Sequence, residues 1–123
     1  MSFVVGAGCS RGCGAEELLA LIGRTLAAGG VMPGQVVALA TIDARGDEPA
    51  LVEASDRTGW PLRTHASDAL AAVEVPTPSA AVAKYVGTPS VAEAAALLSA
   101  GTDRLAVAKL RSANATCALA EVR

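Results

Sequence analysis

The residues with the clearest chemical potential lie in one turn near the start of the chain. Residues 4–22 read VVGAGCSRGCGAEELLALI, so glycines and Arg11 separate an apolar segment typical of a strand from one typical of a helix. Such a turn can hold an anion, because the first backbone N–H groups of a helix have no partner inside the helix. The guanidinium of Arg11 could hold the same anion from a second side. The alternative is a tight turn that only lets the strand and the helix pack closely.

The spacing of the glycines indicates which phosphate-containing ligands the turn could bind. A P-loop needs Lys and then Ser or Thr directly after its second glycine, but Cys13 follows Gly12 here. Gly6, Gly8 and Gly12 form G-x-G-x-x-x-G, which is close to a dinucleotide fingerprint. The acidic residue of that fingerprint lies ~20 residues beyond the motif, whereas Asp43 lies well past that distance. A nucleotide-binding regulatory domain is therefore retained only as an alternative.

The charges near this turn favour a ligand whose carboxylates are spaced apart. Glu16 and Glu17 follow the turn directly and would repel a dense polyanion such as a triphosphate. Arg45 follows the next apolar segment, at the strand end where open α/β sheets bind ligands. Lys109 lies within an otherwise apolar segment, where it needs a carboxylate partner or an exit to solvent. Arg45 could equally be a solvated loop residue, and Lys109 an ordinary edge-strand residue.

The cysteines and the histidine show no metal-binding pattern. Cys9 and Cys13 form one loose pair, and structural zinc sites normally show two short-spaced pairs of ligands. We therefore expect Cys9, Cys13 and Cys117 to be free thiols, with no metal and no resident cofactor. His65 has no partner that would make it a base, so we expect it at the surface or at a strand end.

Hydrophobic periodicity predicts the elements that must position these residues. The predicted strands cover residues 3–7, 36–42, 61–65, 104–110 and 116–122, and the predicted helices cover 15–28, 67–73, 79–86, 90–100 and a segment opened by residues 47–49 and closed by Gly59. Leu51 and Val52 are expected to face inward, and Ser90 and Glu93 to form a capping box. The alternation of strands and helices predicts an α/β fold, with α/β/α layers around a mixed, mostly parallel sheet and a C-terminal antiparallel hairpin.

The composition limits the class of protein. The chain has 123 residues, which suits a single domain over residues 1–123. Hydrophobic residues make up 52% and aromatic residues only 2%, so the core must be aliphatic and no aromatic surface exists for stacking nucleic-acid bases. The net charge of −2 gives no basic field for nucleic acid either. No apolar run reaches the ~18 residues of a membrane span, and an odd number of cysteines without a signal segment predicts a cytoplasmic protein.

Four stretches together resemble one known family, the CobE/CbiG C-terminal family of cobalamin biosynthesis. They are GAGCSRGCGAEEL, LATIDARGDEPAL, PSVAEAAALLSAG and KLRSANATCALA, and they span nearly the whole chain in the family's order and spacing. Two positions depart from the family pattern, because Ser10 stands where a second basic residue is common and Arg45 stands where lysine is common. The first change removes a possible ligand contact, whereas the second keeps the charge.

This resemblance implies a role in building the corrin ring. It implies binding of a precorrin, an amphipathic macrocycle with acetate and propionate groups on its rim, as a carrier or accessory protein in the aerobic pathway. The alternative that it implies is a hydrolase of the cobalt-precorrin-5A type, which opens a ring lactone and releases acetaldehyde. Other enzymes of the cobalamin pathway are the implied protein partners, and neither nucleic acid nor a membrane is expected.

The candidate site residues lie in the matching stretches. Glu93 and Asp43 are the candidates for activating water in the hydrolase alternative. The candidates for substrate binding are Gly6, Gly8, Cys9, Arg11, Gly12, Arg45, Glu48, Ser90 and Lys109. Because no strong catalytic pair is visible among them, binding is favoured over catalysis.

Overall fold

A mixed sheet forms the centre of the protein. The structure, a computed structural model, describes residues 1–73 and 90–123. Within these residues the strands are β1 Phe3–Cys9, β2 Val36–Ile42, β3 Leu62–His65, β4 Val107–Arg111 and β5 Ala115–Glu121. They lie in the order β3-β2-β1-β5-β4. The pairs β1–β2 and β2–β3 are parallel, whereas β5 is antiparallel to both β1 and β4. Only β5 is reversed among these strands, which confirms the mostly parallel sheet with a terminal hairpin.

Helices cover both faces of this sheet. The helices in the described residues are α1 Ala15–Gly29, α2 Pro49–Thr58, α3 Ser67–Ala71 and α4 Val91–Ala100, with short 3-10 turns at Pro33–Gln35 and Asp43–Arg45. The helices α1 and α2 pack on one face, and α3 and α4 pack on the other. The predicted α/β/α layers are therefore confirmed. None of these helices is long and apolar enough to cross a membrane.

Most of the predicted elements are present, with small shifts at their ends. The strand predicted over 104–110 begins only at Val107 and ends at Arg111, and the helix predicted over 67–73 ends at Ala71. The helix predicted over 79–86 lies outside the described residues. The inward orientation predicted for Val52 is wrong, since its exposed fraction is 40% while Leu51 is fully buried. The buried side of α2 is formed by Ala50, Leu51 and Ala54, and Val52 is turned about 100° from Leu51, toward solvent.

Small residues let α4 lie unusually close to the sheet. Its buried face consists mainly of alanines, and it packs against alanines of β2 and β5. A Cβ atom on Gly6 of β1 would lie 2.0 Å from the carbonyl oxygen of Ala92 and 2.7 Å from the backbone nitrogen of Ala96. Gly6 therefore lets the backbone of α4 contact the backbone of β1, which accounts for a glycine at this position without any ligand.

We expect Gly6→Ala to lower the free energy of unfolding by at least about 2 kcal/mol, because the new methyl group would meet backbone atoms that cannot rotate away. The matched control is Gly23→Ala on the exposed side of α1, where a Cβ meets nothing within 4 Å. That change should raise the free energy of unfolding by up to about 1 kcal/mol, because alanine favours a helix over glycine. Urea denaturation followed by circular dichroism measures both values, and equal effects would contradict the close approach of α4.

Candidate functional site

A cavity of about 670 Å³ opens at the carboxyl ends of β1 and β2. One wall is the turn after β1, and the next is the short turn Asp43–Arg45 after β2. The start of α4 and the β4–β5 hairpin close the other sides. Ligands of open α/β sheets bind beyond the carboxyl ends of the strands, so the cavity has the position that the fold favours for a ligand.

The charged side chains that line the cavity are all cationic within the described residues. They are Arg11, Arg45, Lys109 and Arg111. No ion pair within residues 1–73 and 90–123 joins Arg11, Arg45 or Arg111 to a carboxylate. Their guanidinium groups can therefore form charge-assisted, bidentate hydrogen bonds to the carboxylates of a ligand.

Two of these cations lie close together on the edge strand β4. Lys109 and Arg111 are two residues apart, and both line the cavity. Burial lowers the pKa of Lys109, the positive charge of Arg111 lowers it further, and Glu93 opposes both effects. An anion bound between Lys109 and Arg111 would relieve the repulsion between them.

The cations are spread along the width of the sheet. Arg45 follows β2, whereas Lys109 and Arg111 lie on β4, and both β1 and β5 lie between them. Neighbouring strands are about 4.8 Å apart, so the backbones that carry these residues are separated by roughly 14 Å. Such a spread suits a large ligand with several separated carboxylates rather than one small anion.

The turn after β1 holds an anion that belongs to the protein itself. Gly12 has a φ of 78°, in the left-handed region that favours glycine. Its backbone N–H donates to Oε1 of Glu48 at 3.2 Å, and Glu48 is buried at the N-cap of α2. On the other side of Arg11, the N–H of Ser10 donates to the carbonyl oxygen of Asn114 at 2.9 Å. The backbone N–H groups of Ser10 and Gly12, on either side of Arg11, thus have partners within the protein, whereas Arg11 itself lines the cavity.

The structure divides the predicted substrate-binding residues into two groups. The residues that line the cavity are Gly8, Cys9, Arg11, Arg45, Ser90 and Lys109. The other three, Gly6, Gly12 and Glu48, do not line it. Gly6 lies beneath α4, and the backbone N–H of Gly12 donates to the carboxylate of Glu48.

The two predicted catalytic carboxylates also lie off the cavity lining. Glu93 is fully buried, and its Oε2 accepts the backbone N–H of Lys109 at 2.9 Å. The amide of Glu93 donates to Oγ of Ser90 at 3.4 Å, which is the serine contact expected of the capping box. Asp43 is exposed in the turn between lining residues. Burial lowers the pKa of the nearby His65, and the charge of Asp43 opposes that effect.

The three cysteine thiols and His65 have surroundings that suit structural rather than metal-binding side chains. Burial, followed by the neighbouring Cys13 and Glu48, raises the pKa of the Cys9 thiol to about 12. The pKa values of Cys13 and Cys117 are raised as well, in both cases mainly by burial, and all three cysteines are free as predicted. In the described part of the chain no cluster of side chains could hold a metal ion. His65 is the last residue of β3, a strand end as predicted, and its Nε2 lies 2.5 Å from Oγ of Ser99.

Sequence reasoning missed one wall of the cavity. Arg111 lines the cavity together with the hairpin residues Ser112 and Asn114. The signal was available, since a strand with Lys109 on one face carries residue 111 on that same face. What could not be read from the pattern is that β4 ends at the same edge of the sheet as β1 and β2.

Comparison with known proteins gives matches over nearly the whole chain. The family described as "Cobalamin synthesis G C-terminus" matches residues 3–120. "Protein CobE" from Sinorhizobium sp is 42% identical over 120 residues, which cover 95% of this chain and 78% of that protein. "Cobalt-precorrin-5A hydrolase" from Priestia megaterium is 36% identical over 116 residues, but the match spans only 31% of its length. The solved structure of "CobE, a protein from the cobalamin (vitamin B12) biosynthetic pathway" superposes with a TM-score of 0.89 at 38% identity and covers 96% of this chain and 88% of that one.

Because a pKa of about 12 keeps Cys9 protonated at neutral pH, we expect iodoacetamide to alkylate it at pH 8 at least about 100-fold more slowly than a free thiol such as N-acetylcysteine. The rate should rise about tenfold with each pH unit above that, since only the thiolate reacts. Mass spectrometry of the labelled protein gives the rate, and the Cys9→Ser variant identifies the site. Rapid labelling of Cys9 at pH 8 would contradict the burial of this thiol in the cavity wall.

Proposed function

The chain belongs to the cobalamin synthesis G C-terminal family of cobalamin biosynthesis proteins, and on that premise we propose that it binds a precorrin intermediate as a carrier or accessory protein. The observation that carries this proposal is the row of cations around one cavity, with no carboxylate among the described lining residues. A precorrin is an amphipathic macrocycle with acetate and propionate groups on its rim. Cations spread over roughly 14 Å can reach several of those carboxylates at once.

The apolar part of the lining suits the ring of the same ligand. Ile42 and Ala44 lie beside Arg45, and Val91 lies at the start of α4. Ligand pockets typically combine such apolar surface with a few placed polar groups. The ring would then rest against these side chains while the rim carboxylates bind the cations.

The nucleotide-binding alternative receives little support from the same geometry. A phosphate cradle needs free amides in the glycine turn, but Glu48 already accepts the N–H of Gly12. The acidic side chain of Glu17 is likewise present in the first turn of α1, where it is held by Ser112 and Asn114. A dense polyanion would have to displace or oppose both carboxylates.

Hydrolysis of a precorrin lactone is the second candidate, favoured by the identity of 36% with a cobalt-precorrin-5A hydrolase. The match covers about a third of that enzyme, and Asp43 and Glu93 lie off the cavity lining of the described residues. Incubation of the protein with the lactone-bearing intermediate, followed by an acetaldehyde assay, separates the two candidates. Acetaldehyde formed by the purified protein alone would establish catalysis, and its loss in Asp43→Asn would assign the activation of water to Asp43, whereas binding without acetaldehyde supports the carrier role.

The proposed setting is the cytoplasm, in exchange with other enzymes of the aerobic cobalamin pathway. Three free cysteines in the structure suit a reducing compartment. A carrier must release its ligand, and cations at an open cavity mouth allow a neighbouring enzyme to compete for the same carboxylates.

A stable polycarboxylate macrocycle tests the binding proposal. We expect uroporphyrin to bind at about micromolar concentrations in a visible-absorbance titration, and its fully methyl-esterified form to bind at least about tenfold more weakly, because hydrogen bonds to charged groups contribute most. Arg11→Ala and Arg111→Ala should each weaken uroporphyrin binding about tenfold or more, since each removes one charge-assisted contact. Arg24→Ala, on the exposed side of α1 and off the cavity, is the control of equal charge change.

The outcomes of this titration are distinct. Equal losses in Arg11→Ala and Arg24→Ala would mean that only the overall charge attracts the macrocycle, and would count against the cavity. Equal affinities for the acid and the ester would overturn the role of the cations. If neither form binds, and late precorrins also fail to bind, the proposed ligand class is wrong.

A further inference from the structure

We propose that Glu17 is a positioning residue that holds the β4–β5 hairpin and the loop of Arg11 in one arrangement, so that Arg11 and Arg111 bind carboxylates of the same ligand. The inference rests on the proposed function, since it concerns the cavity proposed to bind a precorrin. It assigns to Glu17 no contact with the ligand.

Glu17 contacts the hairpin through both of its carboxylate oxygens. Its Oε2 accepts the backbone N–H of Asn114 at 2.7 Å and the hydroxyl of Ser112. Its Oε1 accepts the side-chain amide of Asn114 at 3.0 Å. The first turn of α1 is therefore tied to the hairpin loop by three hydrogen bonds between segments that are far apart in the chain.

Asn114 also forms a hydrogen bond to the turn after β1. Its carbonyl oxygen accepts the N–H of Ser10 at 2.9 Å, directly before Arg11. Glu17, Asn114 and Ser10 thus form one continuous chain of hydrogen bonds. The carboxylate of Glu17 accepts the hydroxyl of Ser112, which directly follows Arg111. Through Asn114 it is also connected to Ser10, which directly precedes Arg11.

The charge of Glu17 makes the proposal testable. A carboxylate near a cationic cavity weakens the binding of anions through its field, so its removal on electrostatic grounds alone should strengthen binding. The hydrogen bonds from Ser112 and Asn114 lower the pKa of Glu17, which keeps the carboxylate ionised. If Glu17 positions the arginines, its removal should weaken the binding of anions, whereas the loss of its electrostatic field alone should strengthen it.

Glu16 supplies a matched control. It lies beside Glu17 in the first turn of α1, carries the same charge, and is strongly exposed, but it pairs with Arg57 of α2. Glu16→Ala should leave uroporphyrin affinity within about twofold of the unaltered protein or raise it slightly. Glu17→Ala should lower the affinity about tenfold, and Glu17→Gln, which keeps one acceptor oxygen, should lie between the two.

A double-mutant cycle separates positioning from a general loss of structure. In the Arg111→Ala background, Glu17→Ala should cost less than about threefold in affinity, because Arg11 is then the only one of the two arginines left and their placement relative to each other no longer matters. In the Arg45→Ala background the full tenfold loss should remain, since Arg45 follows β2 and no contact in this chain of hydrogen bonds reaches it. Additive losses in both backgrounds, or a gain of affinity in Glu17→Ala equal to that in Glu16→Ala, would overturn the inference.

Hydrogen exchange gives a readout that needs no ligand. The amides of Ser10 and Asn114 should exchange at least about tenfold faster in Glu17→Ala than in Glu16→Ala, while the amides of β1 stay protected. If uroporphyrin and precorrins fail to bind the unaltered protein, the proposed function falls, and exchange alone decides on Glu17. Faster exchange at both amides then supports the connection, and unchanged exchange overturns it.

Discussion

Carboxylates near the starts of three helices hold the backbone around the cavity. Glu17 in α1, Glu48 at the N-cap of α2 and Glu93 in α4 each accept a backbone N–H from a segment that carries or adjoins a cationic residue. A hydrogen bond to a charged acceptor is stronger than one to a neutral acceptor, and the positive end of a helix stabilises the same charge further. These acids are therefore bound to the protein's own backbone, whereas the cationic side chains beside those segments line the cavity. This is how a chain with a net charge of −2 presents a cationic cavity.

Small side chains place the helix starts where these contacts can form. With only 2% aromatic residues, the core is built from aliphatic side chains, and α4 lies almost directly on β1 through Gly6. The start of α4 consequently reaches the edge of the sheet, where Ser90 and Val91 line the cavity. Gly8 lies near the start of the same helix, since a Cβ there would lie 3.5 Å from the Cβ of Val91, an ordinary van der Waals distance. In the glycine pattern that resembles a dinucleotide fingerprint, Gly6 thus serves packing and Gly12 serves a left-handed turn.

The local parts of the fold could be predicted because their physical causes are local. The strand at 36–42 is a continuous β-branched and apolar run, and α1 has apolar residues four apart, so both were predicted with nearly correct ends. The prediction for Val52 is wrong, because the buried side of α2 is formed by Ala50, Leu51 and Ala54 and leaves Val52 exposed. The placements of Glu48 and Glu93 could not be predicted. Their partners, the amides of Gly12 and Lys109, lie in other elements, and no local pattern indicates which amide a carboxylate will meet.

The sequence by itself determined the kinds of elements, the aliphatic core, the family resemblance and the inventory of cationic residues in the matching stretches. Only the tertiary structure decided which of those residues share a cavity. β5 runs antiparallel between β1 and β4, and this pairing brings the end of β4, with Arg111, to the same edge of the sheet as the turn of Arg11. Strand order arises from hydrogen bonds between segments distant in the chain, and these follow from how the apolar faces pack together rather than from any short stretch of residues.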